Sequence, residues 1–126
     1  SYPIPAISQR VAKMENPLIV WGDGTQKRDF VYISDVLDAM LLVINKIDDG
    51  TPVNIGSGKP TSFIEVAKIM ARIKGYSPKI KTLVEKPVGV MTRYSDITLL
   101  ISLGWKLKIP LEAGLKKVIK YQEERL

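Results

Sequence analysis

Hydrophobic and polar positions along this chain switch repeatedly between a helical and an alternating period. From about Ile4 to Glu15 the pattern is helical, and Asn16-Pro17 closes it, because the residue before a proline is pushed out of the helical region. Leu18-Ile19-Val20-Trp21 is a short apolar run ended by Gly22-Asp23-Gly24, which predicts a strand followed by a turn. Arg28 to Tyr32 predicts a second extended piece. Ser34 or Asp35 is then placed to cap a helix whose Val36, Met40, Val43, Ile44 and Ile47 share one stripe. Leu37 and Leu41 widen that stripe, which predicts burial on more than one side. Asp48-Asp49-Gly50 ends the helix.

Val53-Asn54-Ile55 predicts a short strand leading into Gly56-Ser57-Gly58. Ser62 and Glu65 have capping-box spacing before a helix whose apolar face is Phe63, Val66, Ala67 and Met70, with Gly75 as its stop. Lys79 to Val84 alternates like an edge strand. Asp96 predicts the cap of a short helix ending at Gly104, with Trp105 as a packing anchor beyond it. Leu111, Leu115, Val118 and Ile119 mark a last amphipathic helix. The predicted order is α-β-β-α-β-α-β-α-α, an α/β or α+β arrangement. So few short strands for so much helix fits a sheet completed by residues outside this chain.

Composition narrows the chemistry. The chain has 126 residues, 45% hydrophobic and 25% charged, a length that supports one domain. It has no Cys and no His, which excludes disulfides, thiolate nucleophiles, imidazole bases and His- or Cys-ligated zinc. Chemistry is left to Arg, Lys, Tyr, carboxylates, hydroxyls and the backbone. No apolar run approaches the roughly 20 residues of a membrane span, and no signal pattern opens the chain, so a cytoplasmic protein without a membrane partner is expected. The first residue is Ser1 rather than Met, as in a processed product or a piece of a longer chain.

Charge is uneven. Residues 1–50 carry five basic and seven acidic side chains, and residues 51–126 carry fourteen basic and six acidic, giving a net +6. The lysines are scattered at helical or alternating spacing without interleaved aromatics, so nucleic acid is not expected as a partner. A modest positive field suits a phosphorylated small molecule better. Neither glycine cluster makes a phosphate loop. Val53 stands where a P-loop needs its first Gly, and Pro60 stands where Ser or Thr follows the Lys. Thr61 and Lys27 break the two possible G-x-G-x-x-G patterns. Turn glycines with positive φ are the expectation, and Asp23-Gly24 lacks the oxygen ladder of a calcium loop.

One ordered series remains. Val20-Trp21-Gly22-Asp23-Gly24-Thr25-Gln26-Lys27-Arg28-Asp29-Phe30 runs into the first strong helix, and Asn54-Ile55-Gly56-Ser57-Gly58 follows. Then come Lys86-Pro87-x-Gly89, Arg93-x-x-Asp96, Leu103-Gly104-Trp105 and Leu111-Glu112-x-Gly114-Leu115. In this order the chain resembles the C-terminal, substrate-binding domain of the extended short-chain dehydrogenases/reductases, the NAD(P)-dependent nucleotide-sugar epimerases, dehydratases and reductases. The resemblance spans residues 1–126 and implies a nucleotide-diphosphate sugar as ligand.

The resemblance also assigns roles. Arg28 matches the family's diphosphate-holding Arg, whereas spacing alone favours a structural Arg28–Asp29 surface pair. Trp21 and Ile19, two apart on the strand, flank the nucleotide base, with core burial as the alternative for Ile19. Tyr2, Pro3 and Pro5 match the segment that enters the same pocket. Lys86 takes the place of a second Arg, and Arg93 is a further cationic candidate. Asp35 and Asp96 read as helix caps.

What the family uses for catalysis is not in this sequence. Four positions after Tyr2, Tyr32, Tyr76, Tyr94 and Tyr121 stand Ala6, Val36, Ile80, Thr98 and Arg125, so no Tyr-x-x-x-Lys pair is present. The chain alone is expected to be catalytically incomplete and to bind no cofactor itself. NAD or NADP is implied for a whole enzyme, held by an N-terminal Rossmann half, and oligomerisation is possible. A stand-alone, non-enzymatic binding module is the alternative.

Overall fold

The computed structural model describes residues 3–84 and 91–126. The described residues form five helices and four short strands in the order α1 Pro3–Ala12, β1 Leu18–Trp21, β2 Lys27–Asp29, α2 Ile33–Lys46, β3 Pro60–Ser62, α3 Phe63–Lys74, β4 Ile80–Leu83, α4 Thr98–Ser102 and α5 Leu111–Glu124. This is a mixed α/β fold with little sheet. β1 pairs with β4 in parallel, Leu18 opposite Ile80 and Trp21 opposite Leu83. β2 pairs with β3 antiparallel, Arg28 opposite Thr61.

The α1 helix is shorter than its pattern predicts. Met14 adopts a left-handed φ of 54°, and Met14 and Glu15 donate back to the carbonyls of Val11 and Arg10 to turn the chain toward β1. Leu18 and Val20 face inward from β1 and join Ile7 and Val11 of α1, Val66, Ala67 and Met70 of α3, and Leu115 and Ile119 of α5 in the main core. Ser62 Oγ accepts from the Glu65 N–H at 3.1 Å and Gly75 closes α3 at φ 86°, as its cap spacing predicts. Tyr76 and Asn16 lock the β1–β4 register: the tyrosine hydroxyl donates to the Glu15 carbonyl, and Asn16 Oδ1 accepts from the Lys79 N–H.

The predicted element order holds, but the third strand lies elsewhere. Val53-Asn54-Ile55 is not a strand: no described strand runs beside it, and the ladder forms instead at Pro60–Ser62 against β2. The side chains of Val53 and Ile55 still pack, with Leu42, Val43 and Ile97, on a second cluster of Ala39, Leu100 and Trp105. The second extended piece is also shorter, since the strand ends at Asp29.

The α2 helix departs most from expectation. It starts at Ile33 with no side-chain cap, so neither Ser34 nor Asp35 caps it. Asp35 is 1% exposed and accepts from the N–H groups of Lys108 and Ile109, while Trp105 Nε1 donates to its carbonyl at 3.0 Å. Its carboxylate thus pins α2 to the chain entering α5, which a helix-cap reading cannot anticipate. The widened apolar stripe is not buried on a second side: Ile33, Leu37, Met40, Leu41 and Ile44 stand exposed, Ile44 at 70%. Asp96 does sit at a helix start, one residue before the cap at Ile97, where Oδ1 accepts from both the N–H and the hydroxyl of Thr98. Asp23–Thr25 and Asp49–Thr51 repeat that Asp-x-Thr turn. Trp105 is buried, as its position predicts.

Candidate functional site

β1 carries the chain outward to Trp21, and the turn at Gly22–Thr25 brings it back as β2. Both turn glycines have positive φ, 73° at Gly22 and 79° at Gly24. A side chain at Gly24 would also collide with Ile64, whose N–H donates to the Gly24 carbonyl at 3.1 Å. The Phe63 N–H donates to the Gln26 carbonyl at 3.1 Å. The return loop is therefore clamped to the start of α3, and this brings Trp21, Gln26, Arg28 and Phe63 to one wall.

Opposite that wall runs α1, whose Pro3, Ala6, Ile7 and Arg10 recur at i, i+3, i+4 and i+7 and so share one helical face. Between them lies a cavity of about 380 Å³, also lined by Val20 and Phe30. Among the described residues, two guanidiniums line it and no carboxylate does. Arg28 Cζ lies 5.6 Å from the centre of the Phe63 ring, and Nη1 donates to the Lys27 carbonyl at 2.8 Å. Arg10 Nη1 donates to the Ile19 carbonyl at 2.9 Å. Each guanidinium spends one donor on a backbone carbonyl and has others in its fork to offer a ligand oxygen.

Arg28 is not paired with its neighbour. Asp29 turns to the other side of β2, where Oδ1 accepts from the N–H and hydroxyl of Ser57 and Oδ2 accepts from the N–H groups of Gly58 and Ser95. Burial alone raises the Asp29 pKa, but the hydrogen bonds from Ser57, Ser95 and Gly58 outweigh it and hold the carboxyl below the usual 3.8. The surface ion-pair reading of Arg28–Asp29 is thereby set aside. The same bonds explain the Gly-Ser-Gly segment: its amides cradle an anion, and that anion is Asp29. Gly58 has the expected positive φ, 77°. Gly56 is required instead by close approach, since a Cβ there falls 2.5 Å from Asp29 Oδ2 and 2.8 Å from Ser95 Oγ. With the Ser57 and Gly58 amides engaged by Asp29, that segment does not offer them to a dinucleotide phosphate.

Of the residues singled out from sequence, Pro3, Trp21 and Arg28 meet at the cavity. Ile19 is half-buried beside it, and its carbonyl is engaged by Arg10, but its side chain is not part of the lining. Arg93 is exposed and outside the lining; its N–H donates to the Lys27 carbonyl at 3.1 Å, so it continues the strand edge next to Arg28. Tyr2 and Lys86 lie outside the described residues. Arg10, Gln26, Phe30 and Phe63 were missed. The helical spacing of Arg10 from Pro3, Ala6 and Ile7 was the signal that would have found it.

With that geometry in place, the sequence model of the NAD-dependent epimerase/dehydratase family matches residues 3–56. The chain is similar to this family, which lies within the extended short-chain dehydrogenases/reductases. It is 36% identical over 121 residues to a GDP-L-fucose synthase from Sinorhizobium fredii, a match covering 93% of this chain and 38% of that protein. A Thermotoga maritima UDP-glucose 4-epimerase solved with UDP-glucose superposes at a TM-score of 0.83 with 30% identity, over 99% of this chain and 40% of that one. RMD from Pseudomonas aeruginosa, solved with NADPH, shares the fold at a TM-score of 0.89 and 23% identity, over 99% and 43%. The chain thus spans about two fifths of the length of the relatives it matches. Among the described residues no helix is long and apolar enough to cross a membrane.

Proposed function

We propose that this chain is the nucleotide-sugar-recognising, C-terminal part of an NAD(P)-dependent epimerase, dehydratase or reductase. The observation that carries the reading is one cavity where the described lining residues include two guanidiniums and a tryptophan at the strand end, and no carboxylate. Its volume falls within the roughly 300–1,000 Å³ of small-molecule sites. Arg28 and Arg10 bind the diphosphate, whose charge matches theirs, and the Trp21 ring lies against the base. The sugar points to a catalytic Tyr and nicotinamide supplied by the rest of the protein.

The same reading assigns a place to that remainder. The exposed face of α2 and residues 53–55, which have no described ladder partner, form a surface that a dinucleotide-binding half covers. On this reading, catalysis requires that half.

Replacing Arg28 with Ala removes charge-assisted hydrogen bonds worth about 1.5–3 kcal/mol, so affinity for UDP or GDP falls roughly 10- to 150-fold. Trp21 fluorescence reads the binding, because the other tryptophan, Trp105, is buried in a separate cluster. Unchanged affinity in the Arg28→Ala protein sinks the assignment.

A further inference from the structure

The parallel ladder leaves one edge of β4 open. Leu18 and Gly22 donate to the carbonyls of Lys79 and Leu83, so Lys79, Lys81 and Leu83 turn their main-chain groups toward β1. Strand alternation then turns the N–H and C=O groups of Ile80 and Thr82 the other way, where no described strand meets them. Ile80 stands opposite Leu18 and packs on the main core, so this edge borders the sheet face that α3 covers. An open groove of about 640 Å³ lies there, between Ile80 and α3. Ala71 and Tyr76 supply apolar lining, and Lys68 and Arg72 line it from one face of α3, one turn apart.

We propose that this edge and groove dock an extended acidic segment of a partner protein, which adds to β4 as a third strand. A segment laid along Ile80 and Thr82 meets their open N–H and C=O groups and sends alternate side chains to the two faces of the sheet. On one face these enter the groove over Ala71 and Ile80, beside Lys68 and Arg72. On the other they stand next to exposed Lys81, with exposed Lys79 one strand step before it. Arg72 is tied to Glu112 at 2.9 Å, but among the described residues no carboxylate pairs with Lys68, Lys79 or Lys81. That charge selects the occupant. A second copy of β4 brings its own lysines against these and is repelled, whereas an acidic strand is attracted. The groove shares no lining residue with the Trp21–Arg28 cavity, so the proposal stands apart from the nucleotide reading.

The test titrates the whole chain with a fluorescein-labelled peptide, Thr-Glu-Val-Glu-Val-Glu-Thr, by anisotropy, and follows the amides of the ¹⁵N-labelled chain by NMR. Binding is expected, with the Ile80 and Thr82 amides among those that shift most. Lys79→Glu with Lys81→Glu should keep the fold, since both side chains are exposed, and should weaken binding by about tenfold or more. The same variant should gain affinity for the matched peptide with Lys in place of Glu. Proline at both valine positions keeps the peptide's charge but prevents strand pairing, and should also weaken binding by about tenfold or more. No binding of the acidic peptide, or amide shifts centred away from β4, overturns the proposal. Equal binding of the proline peptide or of a ten-nucleotide oligothymidylate marks a general attraction of polyanions and overturns it as well.

Discussion

Asp29 offers the sharpest single perturbation, because one carboxylate ties two other chain segments to β2. Oδ1 takes two donors from Ser57, and Oδ2 takes the N–H groups of Gly58 and Ser95 at 3.0 and 3.1 Å. Asp29→Asn keeps the shape and replaces one acceptor by an NH2 donor. Kept in the native orientation, that NH2 faces the N–H groups of Gly58 and Ser95. Flipped, it faces the Ser57 N–H, while the Ser57 hydroxyl can turn to accept. The flipped form is better, and it leaves one donor–donor conflict plus the loss of charge assistance. That combination costs about 2–3 kcal/mol, the low end being favoured because the carboxylate is only half-buried and water replaces part of what is lost. For a chain of this size the melting temperature falls by roughly 8–12 °C.

The pH dependence separates this account from a generic packing defect. The folded-state pKa of Asp29 is lowered relative to 3.8, against burial, by the hydrogen bonds from Ser57, Ser95 and Gly58. A carboxyl with a depressed folded pKa contributes stability above its unfolded pKa and loses it as pH falls through the folded value. Denaturant titrations of both proteins, followed by Trp105 fluorescence, should show a constant gap from pH 7 to about 5. The gap should narrow below 3.8 as the wild-type carboxylate is protonated. A gap that is absent at pH 7, or one that persists undiminished at the lowest pH at which both proteins fold, refutes the reasoning.

Two further outcomes follow from the same geometry. Gly56→Ala drives a methyl into Asp29 Oδ2 and Ser95 Oγ and should cost about 1–3 kcal/mol in urea unfolding; in an Asp29→Ala background the penalty should shrink, and full additivity would refute the shared-contact explanation. On α2, Leu37→Lys with Ile44→Glu should change stability by no more than about 0.5 kcal/mol per site, since both side chains are exposed. In sedimentation velocity the same pair should reduce any self-association of the isolated chain, and a large loss of stability would show that the stripe is buried.

The parts of the fold that were legible are those decided by local chemistry. The Ser62 cap, the Gly75 stop and the Leu18–Trp21 run each carry their cause within a few residues, and each stands where the pattern puts it. Carboxylates that reach across the chain were not legible. Asp35 has the spacing of a cap, yet it is drawn to amides 73 and 74 residues away. Asp29 looks like half of an ion pair with Arg28, yet its partners lie 28 to 66 residues on. Nothing in a period or a propensity encodes which distant amides a buried carboxylate will satisfy.

The errors on α2 and residues 53–55 have a different origin. Their patterns are those of a helix buried on a broad face and of a strand in a sheet, and both patterns require neighbours that the described residues do not supply. The helix forms regardless, because its one packed face rests on Trp105, Leu100 and the side chains of Val53 and Ile55. A strand has no such independence, since its hydrogen bonds lie outside itself, so residues 53–55 do not become one. The cavity is different again. Its walls are α1, β1, β2 and the first residue of α3, and each is held by contacts within these residues. Nucleotide recognition can therefore be assayed on this chain alone, whereas catalysis under the proposed reading requires whatever covers α2.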